Sequence, residues 1–206
     1  MVIIDTKQVS SDVYKITVSG DLLFFARKQY LKILTEENFV PGFELNEELL
    51  EELTDSSLAY LCETKALSYL ARAEQSYYGL SLKLLKKGFH KKYIEMALDY
   101  LKSSGVLDDL RFCESWLNSR KISHFEGRKK LLSELQVRGI SKADATSALD
   151  SFFQEISEED LCIKAYDKLL RKNTLKEKII PSLVKNGFSY SVIKSVVNME
   201  EKFMEL

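Results

Sequence analysis

Three segments of the chain align with one another without a gap: KLLKKGFHKKYIEMAL at 83–98, ELQVRGISKADATSAL at 134–149 and SLVKNGFSYSVIKSVV at 182–197. Each carries a leucine four residues before a glycine, and the glycines Gly88, Gly139 and Gly187 are 51 and 48 residues apart. A repeat of this length restricts the chain to an array of similar modules. Each segment reads as helix, tight turn, helix. The glycine takes the left-handed position that ends the first helix at little steric cost. The apolar residue after it (Phe89, Ile140, Phe188) folds back on the last turn. One residue later Ser141 or Ser189 caps the next helix, and His90 fills that slot in the first segment. Ile94, Ala145 and Ile193, six residues past the glycine, and Leu98, Leu149 and Val197, ten past it, lie on one face of that helix. An arginine near the end of an upstream helix recurs as Arg72, Arg120 and Arg171, with three extra residues around 122–127 in the middle copy. Each module therefore reads as three helices. Asp108 and Ser157 are placed to cap the first helices of the second and third modules.

The chain ahead of the repeats differs. Val2-Ile3-Ile4 and Tyr14-Lys15-Ile16-Thr17-Val18 are β-rich, the latter alternating with a period of two, and Leu22–Phe25 can add a third strand. Ser10–Asp12 and Ser19–Asp21 are the turns. After residue 26 the pattern becomes helical, broken once at Pro41-Gly42. The expected fold class is mainly α: tandem three-helix repeats in an elongated curved array with a small N-terminal β segment. The expected domains are an acidic β-hairpin-containing extension over 1–54 and repeats over 55–106, 107–156 and 157–206.

Composition narrows the function classes. With 45% hydrophobic and 30% charged residues the chain reads as a soluble globular protein. It contains no apolar run of the ~18 residues a membrane span needs, and no basic stretch leads into a long apolar one at the N-terminus. Its 3 cysteines lack CxxC spacing, which suits reduced thiols in a cytoplasm. The net charge of −1 conceals a partition into −7 over residues 1–64, +6 over 65–154 and 0 over 155–206. A basic middle of this kind can meet an acidic partner locally, or be an ordinary solvated face.

The segments LDDLRFCESWLNSR at 107–120 and GRKKLLSELQVRGIS at 127–141 resemble the RecX regulatory family, with its Leu-Asp-Asp turn, Arg-Phe, Trp and Arg, then Gly, a basic run, Glu-Leu and basic-Gly-Ile. ALSYLARAEQS at 66–76 with LLKKGF at 84–89 is similar to the family's first repeat, apart from Gly79, where that repeat usually has Glu. The third repeat matches weakly, as a terminal capping repeat does. The resemblance covers the chain from about residue 60 onward. It implies tandem three-helix modules and binding in the groove of the RecA–DNA filament, restraining strand exchange, ATP hydrolysis and coprotease activity. It places such a protein in recombination, DNA repair and the SOS response.

No catalytic set is legible. Asp108 and Asp109 point apart at a helix start and read as a cap. His90 and His124 lie in different modules, without metal-ligand spacing. Phosphate-loop, dinucleotide and nucleophile-elbow motifs are absent. We therefore expect no enzyme, no metal and no cofactor. Trp116 and Phe112 read as core, and so do Cys113 and Cys162, which stand near matching places in modules two and three. The candidate partner- or DNA-binding residues are the basic ones around the repeat turns: Arg72, Lys86, Lys87, Lys91, Lys92, Arg111, Arg120, Arg128, Lys129, Lys130, Arg138 and Lys142. The expected partners are the RecA filament and single- or double-stranded DNA, met by a monomer with no membrane contact. The alternative reading is a helical-repeat module that binds nucleic acid directly.

Overall fold

The computed structural model describes residues 1–204. Its elements are three strands, β1 (Ile3–Ser10), β2 (Val13–Val18) and β3 (Leu22–Arg27), followed by α1 (Glu47–Leu70), α2 (Tyr77–Leu85), α3 (Lys91–Ser103), α4 (Asp109–Ser123), α5 (Arg128–Val137), α6 (Lys142–Glu155), α7 (Glu158–Arg171), α8 (Lys176–Lys185) and α9 (Tyr190–Met204). The fold is mainly α with a small N-terminal sheet, as the repeat and the alternating strand pattern require. The chain divides into two compact units, Met1–Leu107 and the part that begins at Asp108.

In the first unit the strands form an antiparallel sheet in the order β1-β2-β3. Ile3, Ile16, Val18 and Ala26 supply its buried face and pack with Leu34, Phe39, Leu45 and Leu53. β3 is an edge strand, and an edge leaves backbone donors without partners. Two serines of α1 take them up: Ser57 Oγ accepts from Phe25 N–H at 3.1 Å and Ser56 Oγ accepts from Arg27 N–H at 3.1 Å. At 24 residues, α1 is about 36 Å long at 1.5 Å per residue. Its length gives it two tasks. Leu53 belongs to the sheet core, while Cys62 and Ala66 join Leu80, Leu84, Ile94, Leu98 and Leu101 in the core of the first repeat.

The segment between β3 and α1 departs from the helical expectation. Apart from two single 3-10 turns, Lys28–Tyr30 and Glu36–Asn38, it is irregular. The Glu52 carboxylate on α1 accepts the backbone N–H groups of Lys32, Ile33 (2.8 Å) and Leu34 (2.8 Å), donors that a helix would have used internally. The N-terminal strand adds Ile3 N–H to Phe43 O at 2.9 Å and receives Gly42 N–H at Ile3 O, 2.8 Å. Long-range backbone pairing thus overrides the local pattern.

The three repeat turns are one motif built three times. Gly88, Gly139 and Gly187 sit at φ +87°, +82° and +89°. In each turn the following residue donates back to the leucine four before the glycine: Phe89 to Leu84 at 3.3 Å, Ile140 to Leu135 at 3.2 Å, Phe188 to Leu183 at 3.3 Å. The glycine N–H groups donate to Leu85, Gln136 and Val184, each at 2.9 Å. This paired pattern is a Schellman C-cap. The three leucines are fully buried. The caps of the second helices also form: His90 Nδ1 accepts from Lys92 N–H at 3.3 Å, Ser141 Oγ from Asp144 N–H at 3.1 Å and Ser189 Oγ from Val192 N–H at 3.4 Å. Gly79 stands third in α2, where a glutamate would complete a capping box with Ser76; here Ser76 Oγ accepts its N–H at 3.0 Å.

In the second unit repeats two and three share one core, from Leu117, Leu131, Leu135 and Leu149 to Leu161, Ile179, Leu183 and Ile193. Cys62, Cys113 and Cys162 stand 26, 26 and 25 residues ahead of the three turn glycines, one per repeat, and all three are fully buried. Burial pushes their thiols up to about 12, 11 and 12 respectively. They fill core space as small apolar groups.

Candidate partner and nucleic-acid interface

Helix ends position the basic side chains. The sequence around the first two repeat turns is cationic on both sides of the glycine, and the Schellman turn projects both flanks outward. Lys86 and Lys87 leave the end of α2, and Lys91 and Lys92 open α3, so four lysines bracket Gly88. Lys86 and Lys87 are exposed and make no ion pair among the described residues. Lys91 lies 3.4 Å from Glu95 on the same exposed helix face. Lys92 is held by Asp55 of α1, whose carboxylate also accepts the Tyr93 hydroxyl at 3.0 Å. Arg72 is exposed in the link after α1.

The remaining seven candidates belong to the second unit. Lys142, the first residue of α6, and Lys129, in the first turn of α5, are exposed and make no ion pair among the described residues. Arg111 is exposed in the first turn of α4. Arg128 is paired with Asp150 and lies 5.8 Å over the Phe153 ring. Arg138, which caps α5, bonds both the Glu134 carboxylate (2.6 Å) and the Glu134 carbonyl (2.7 Å), and its guanidinium lies 4.8 Å from the Trp116 ring centroid. Trp116 is half-buried against the core, and Arg120 lies 5.2 Å from the same ring.

Arg120 and Lys130 converge on an acid that the charge pattern did not single out. Glu126 is 5% exposed. Its carboxylate accepts Arg120 Nε and Nη2, each at 2.7 Å, and Lys130 Nζ at 2.7 Å. Burial works against its charge, but the Lys130 hydrogen bond and the Arg120 and Lys130 charges outweigh it and hold the carboxyl below its ordinary value. These two cations are therefore held by the fold, whereas their neighbour Lys129 is not.

Beside this cluster repeat two touches repeat three backbone to backbone. Gly127 N–H donates to Asn186 O at 2.9 Å and Lys129 N–H to Gly187 O at 3.3 Å. A Cβ on Gly127 would stand 2.5 Å from Gly187 C, and one on Gly187 would stand 2.4 Å from Lys130 N. Both glycines are thus required by close approach, a feature visible in the sequence only as a glycine ahead of the Arg128–Lys130 run.

A second ionic cluster ties the sheet to the first repeat. Arg27 of β3 donates from Nε and Nη2 to Glu63 of α1 at 2.7 and 2.6 Å and from Nη1 to the Tyr100 hydroxyl of α3 at 2.8 Å, and it also pairs with Asp12. Its guanidinium lies 4.3 Å from the Tyr100 ring centroid. Tyr30 donates its hydroxyl to Glu63 at 2.8 Å. Burial, reinforced by Glu63, pushes the Tyr30 phenol up. This cluster is structural.

Asp108 caps α4, accepting the N–H groups of Leu110 (2.8 Å) and Arg111 (3.1 Å), so the Asp-Asp pair serves the helix start. No cluster of His, Cys, Asp and Glu suited to a metal occurs among the described residues. No helix among them is long and apolar enough to cross a membrane.

The model of the RecX second three-helix domain matches residues 108–149, and that of the RecX first three-helix domain matches residues 62–101. The chain is 40% identical over 141 residues to the regulatory protein RecX of Treponema pallidum (strain Nichols), covering 68% of this chain and 86% of that protein. It is 28% identical over 173 residues to the regulatory protein RecX of Clostridioides difficile (strain 630), covering 82% of this chain and 81% of that protein. A crystal structure of regulatory protein RecX superposes with a TM-score of 0.76 at 21% identity over 96% of this chain and 100% of its own. That of RecX from Lactobacillus salivarius gives 0.59 at 22% identity over 69% and 96%.

Proposed function

This chain belongs to the RecX family, and from that premise we propose that it binds the RecA–DNA filament and modulates RecA, lowering its recombinase, ATPase and coprotease activities. The observation that carries the reading is the set of exposed cations that make no ion pair among the described residues: Arg72, Lys86 and Lys87 in the first unit, Lys129 and Lys142 in the second. Exposed cations gathered at helix ends raise the local positive potential and can steer and meet an acidic partner. Arg111, exposed in the first turn of α4, and Lys91, 3.4 Å from Glu95, are further contacts of the proposed surface. Lys92, Arg120, Arg128, Lys130 and Arg138 act indirectly, by fixing the helices from which the others project. The role is non-enzymatic, it belongs to recombination, DNA repair and the SOS response, and its place is the cytoplasm, where RecA and the chromosome are found. The protein acts as a monomer.

The test is DNA-dependent ATP hydrolysis by the cognate RecA, titrated with this protein. A fall at near-stoichiometric or lower protein supports filament regulation; an unchanged rate refutes it. The second reading, direct nucleic-acid binding, is favoured by the same exposed lysines, because phosphates are their natural counter-charge. It requires affinity for bare single- or double-stranded DNA that falls steeply with salt, and it fails if no binding is measured at low salt.

A further inference from the structure

The segment 155–206 carries a net charge of zero. Its charges are nonetheless segregated. Lys164, Lys168, Arg171 and Lys172 follow one another on α7 and its C-cap at steps of four, three and one, forming a single stripe. The adjoining face of the helix, with Leu161, Cys162 and Ala165, is buried in the core. Like charges four apart destabilise a helix slightly. The dipole favours cations in the last turn, at Lys168 and Arg171, but not at Lys164. Lys168 Nζ also lies 5.5 Å from the Phe125 ring centroid.

Two members of the stripe, Lys168 and Lys172, reach a cleft of about 390 Å³ between the α4–α5 loop, α5, α7 and α8. His124, Lys130, Lys168, Lys172 and Lys185 line it, and Glu126 is its one acid. The charge of Glu126 is already consumed by Arg120 and Lys130. Lys172 and Lys185 are exposed and make no ion pair among the described residues. Cations from three separate elements thus converge on one cavity whose own acid is neutralised. The volume falls within the roughly 300–1,000 Å³ of small-ligand sites.

We propose that this cleft is a binding site for closely spaced phosphate groups, with Lys172 and Lys185 as its principal contacts and the Arg120–Glu126–Lys130 cluster fixing its floor. Convergence of several cations onto one cavity suits several phosphates held together. No aromatic ring other than His124 lines it, so it offers little for recognising a base. The same chemistry is presented by a free oligophosphate and by the backbone of a nucleic-acid strand. The inference stands apart from the RecA reading, since it concerns the protein alone.

The experiment is calorimetric titration of the full chain with inorganic tripolyphosphate at low salt, with a thymidine oligonucleotide as competitor. The variants are Lys172→Glu/Lys185→Glu and, as a control for general basic surface, Lys7→Glu/Lys15→Glu on the exposed sheet. The expected result is saturable one-to-one binding, weakened at least about tenfold by Lys172→Glu/Lys185→Glu at unchanged melting temperature, and much less by the control pair. Competition by the oligonucleotide assigns the phosphates to a strand, and its absence assigns them to a free ligand; either supports the site. No saturable binding, or equal weakening by both variants, overturns it.

Discussion

Replacing Glu63 by Gln should uncouple the N-terminal sheet from the first repeat. Glu63 is 1% exposed and Arg27 is 8% exposed. The carboxylate accepts three hydrogen bonds, two from Arg27 and one from Tyr30. A glutamine amide offers one oxygen and turns two further donors toward groups that are donors themselves, so at least one bond is lost together with the charge. Removing one partner of a buried pair costs about 3–5 kcal/mol. Arg27 keeps Asp12, whose side chain is 22% exposed, and that places the cost near the lower end, about 3 kcal/mol. For a unit of 107 residues the melting temperature should fall by about 12 °C, at roughly 4 °C per kcal/mol. The fall should be followed by far-UV circular dichroism, with fluorescence of the single tryptophan, Trp116, reporting the second unit and moving less. The double variant Arg27→Met/Glu63→Leu leaves neither charge of the pair behind and should be more stable than Glu63→Gln alone. A shift below about 2 °C for Glu63→Gln, or a double variant less stable than that single one, would refute the reasoning.

Other outcomes follow from single contacts. Gly88→Ala adds a Cβ in open space at positive φ and should cost about 1–2 kcal/mol, whereas Gly187→Ala must also displace Lys130 and should cost more; equal urea midpoints would contradict this. Lys129→Glu should leave stability within about 0.5 kcal/mol, while Lys130→Glu sets a carboxylate beside buried Glu126 and should lose more than about 1 kcal/mol in the same assay. Asp12 and Glu126 both titrate below their ordinary values. For Asp12 burial opposes this, and the Ser10 hydrogen bond and Arg27 charge outweigh it. A depressed folded-state value stabilises above the unfolded value, about 3.9 for Asp and 4.3 for Glu, and that contribution disappears as pH falls through the folded-state value. Urea midpoints should therefore drop below about pH 4, and Glu126→Gln should flatten that drop. The three thiols should resist a disulfide reagent at about pH 8 in the native protein and react in urea; rapid native labelling would place a cysteine outside the core.

The turns were legible because all their determinants are local. Leucine, glycine, apolar residue and cap lie within six residues of one another, so threefold repetition exposed them directly. The sheet was legible for the same reason, from alternation and flanking turns. The segment before α1 was misread because its conformation is set by Glu52, which lies 18–20 residues downstream of the N–H groups it accepts. Arg27 and Glu63 escaped notice because charged residues ordinarily read as exposed, and the two meet across 36 residues. The basic candidates show the limit most clearly. Lys129 and Lys130 are equivalent in a string of letters, yet only Lys130 reaches Glu126, and that depends on the helical rotation of α5 and the loop before it. The cationic cleft of repeat three was hidden by a net charge of zero, which averages a basic stripe on α7 with the acidic Glu158–Asp160 start of the same helix.

The most direct measurement of the central claim is binding of the labelled protein to preassembled RecA–DNA filaments, read by fluorescence anisotropy alongside ATP hydrolysis in the same samples. The account predicts saturable binding that lowers hydrolysis, with both effects weakened at least about tenfold by Lys86→Glu/Lys87→Glu/Lys129→Glu/Lys142→Glu at unchanged melting temperature. Full binding and full inhibition by that folded variant would contradict it.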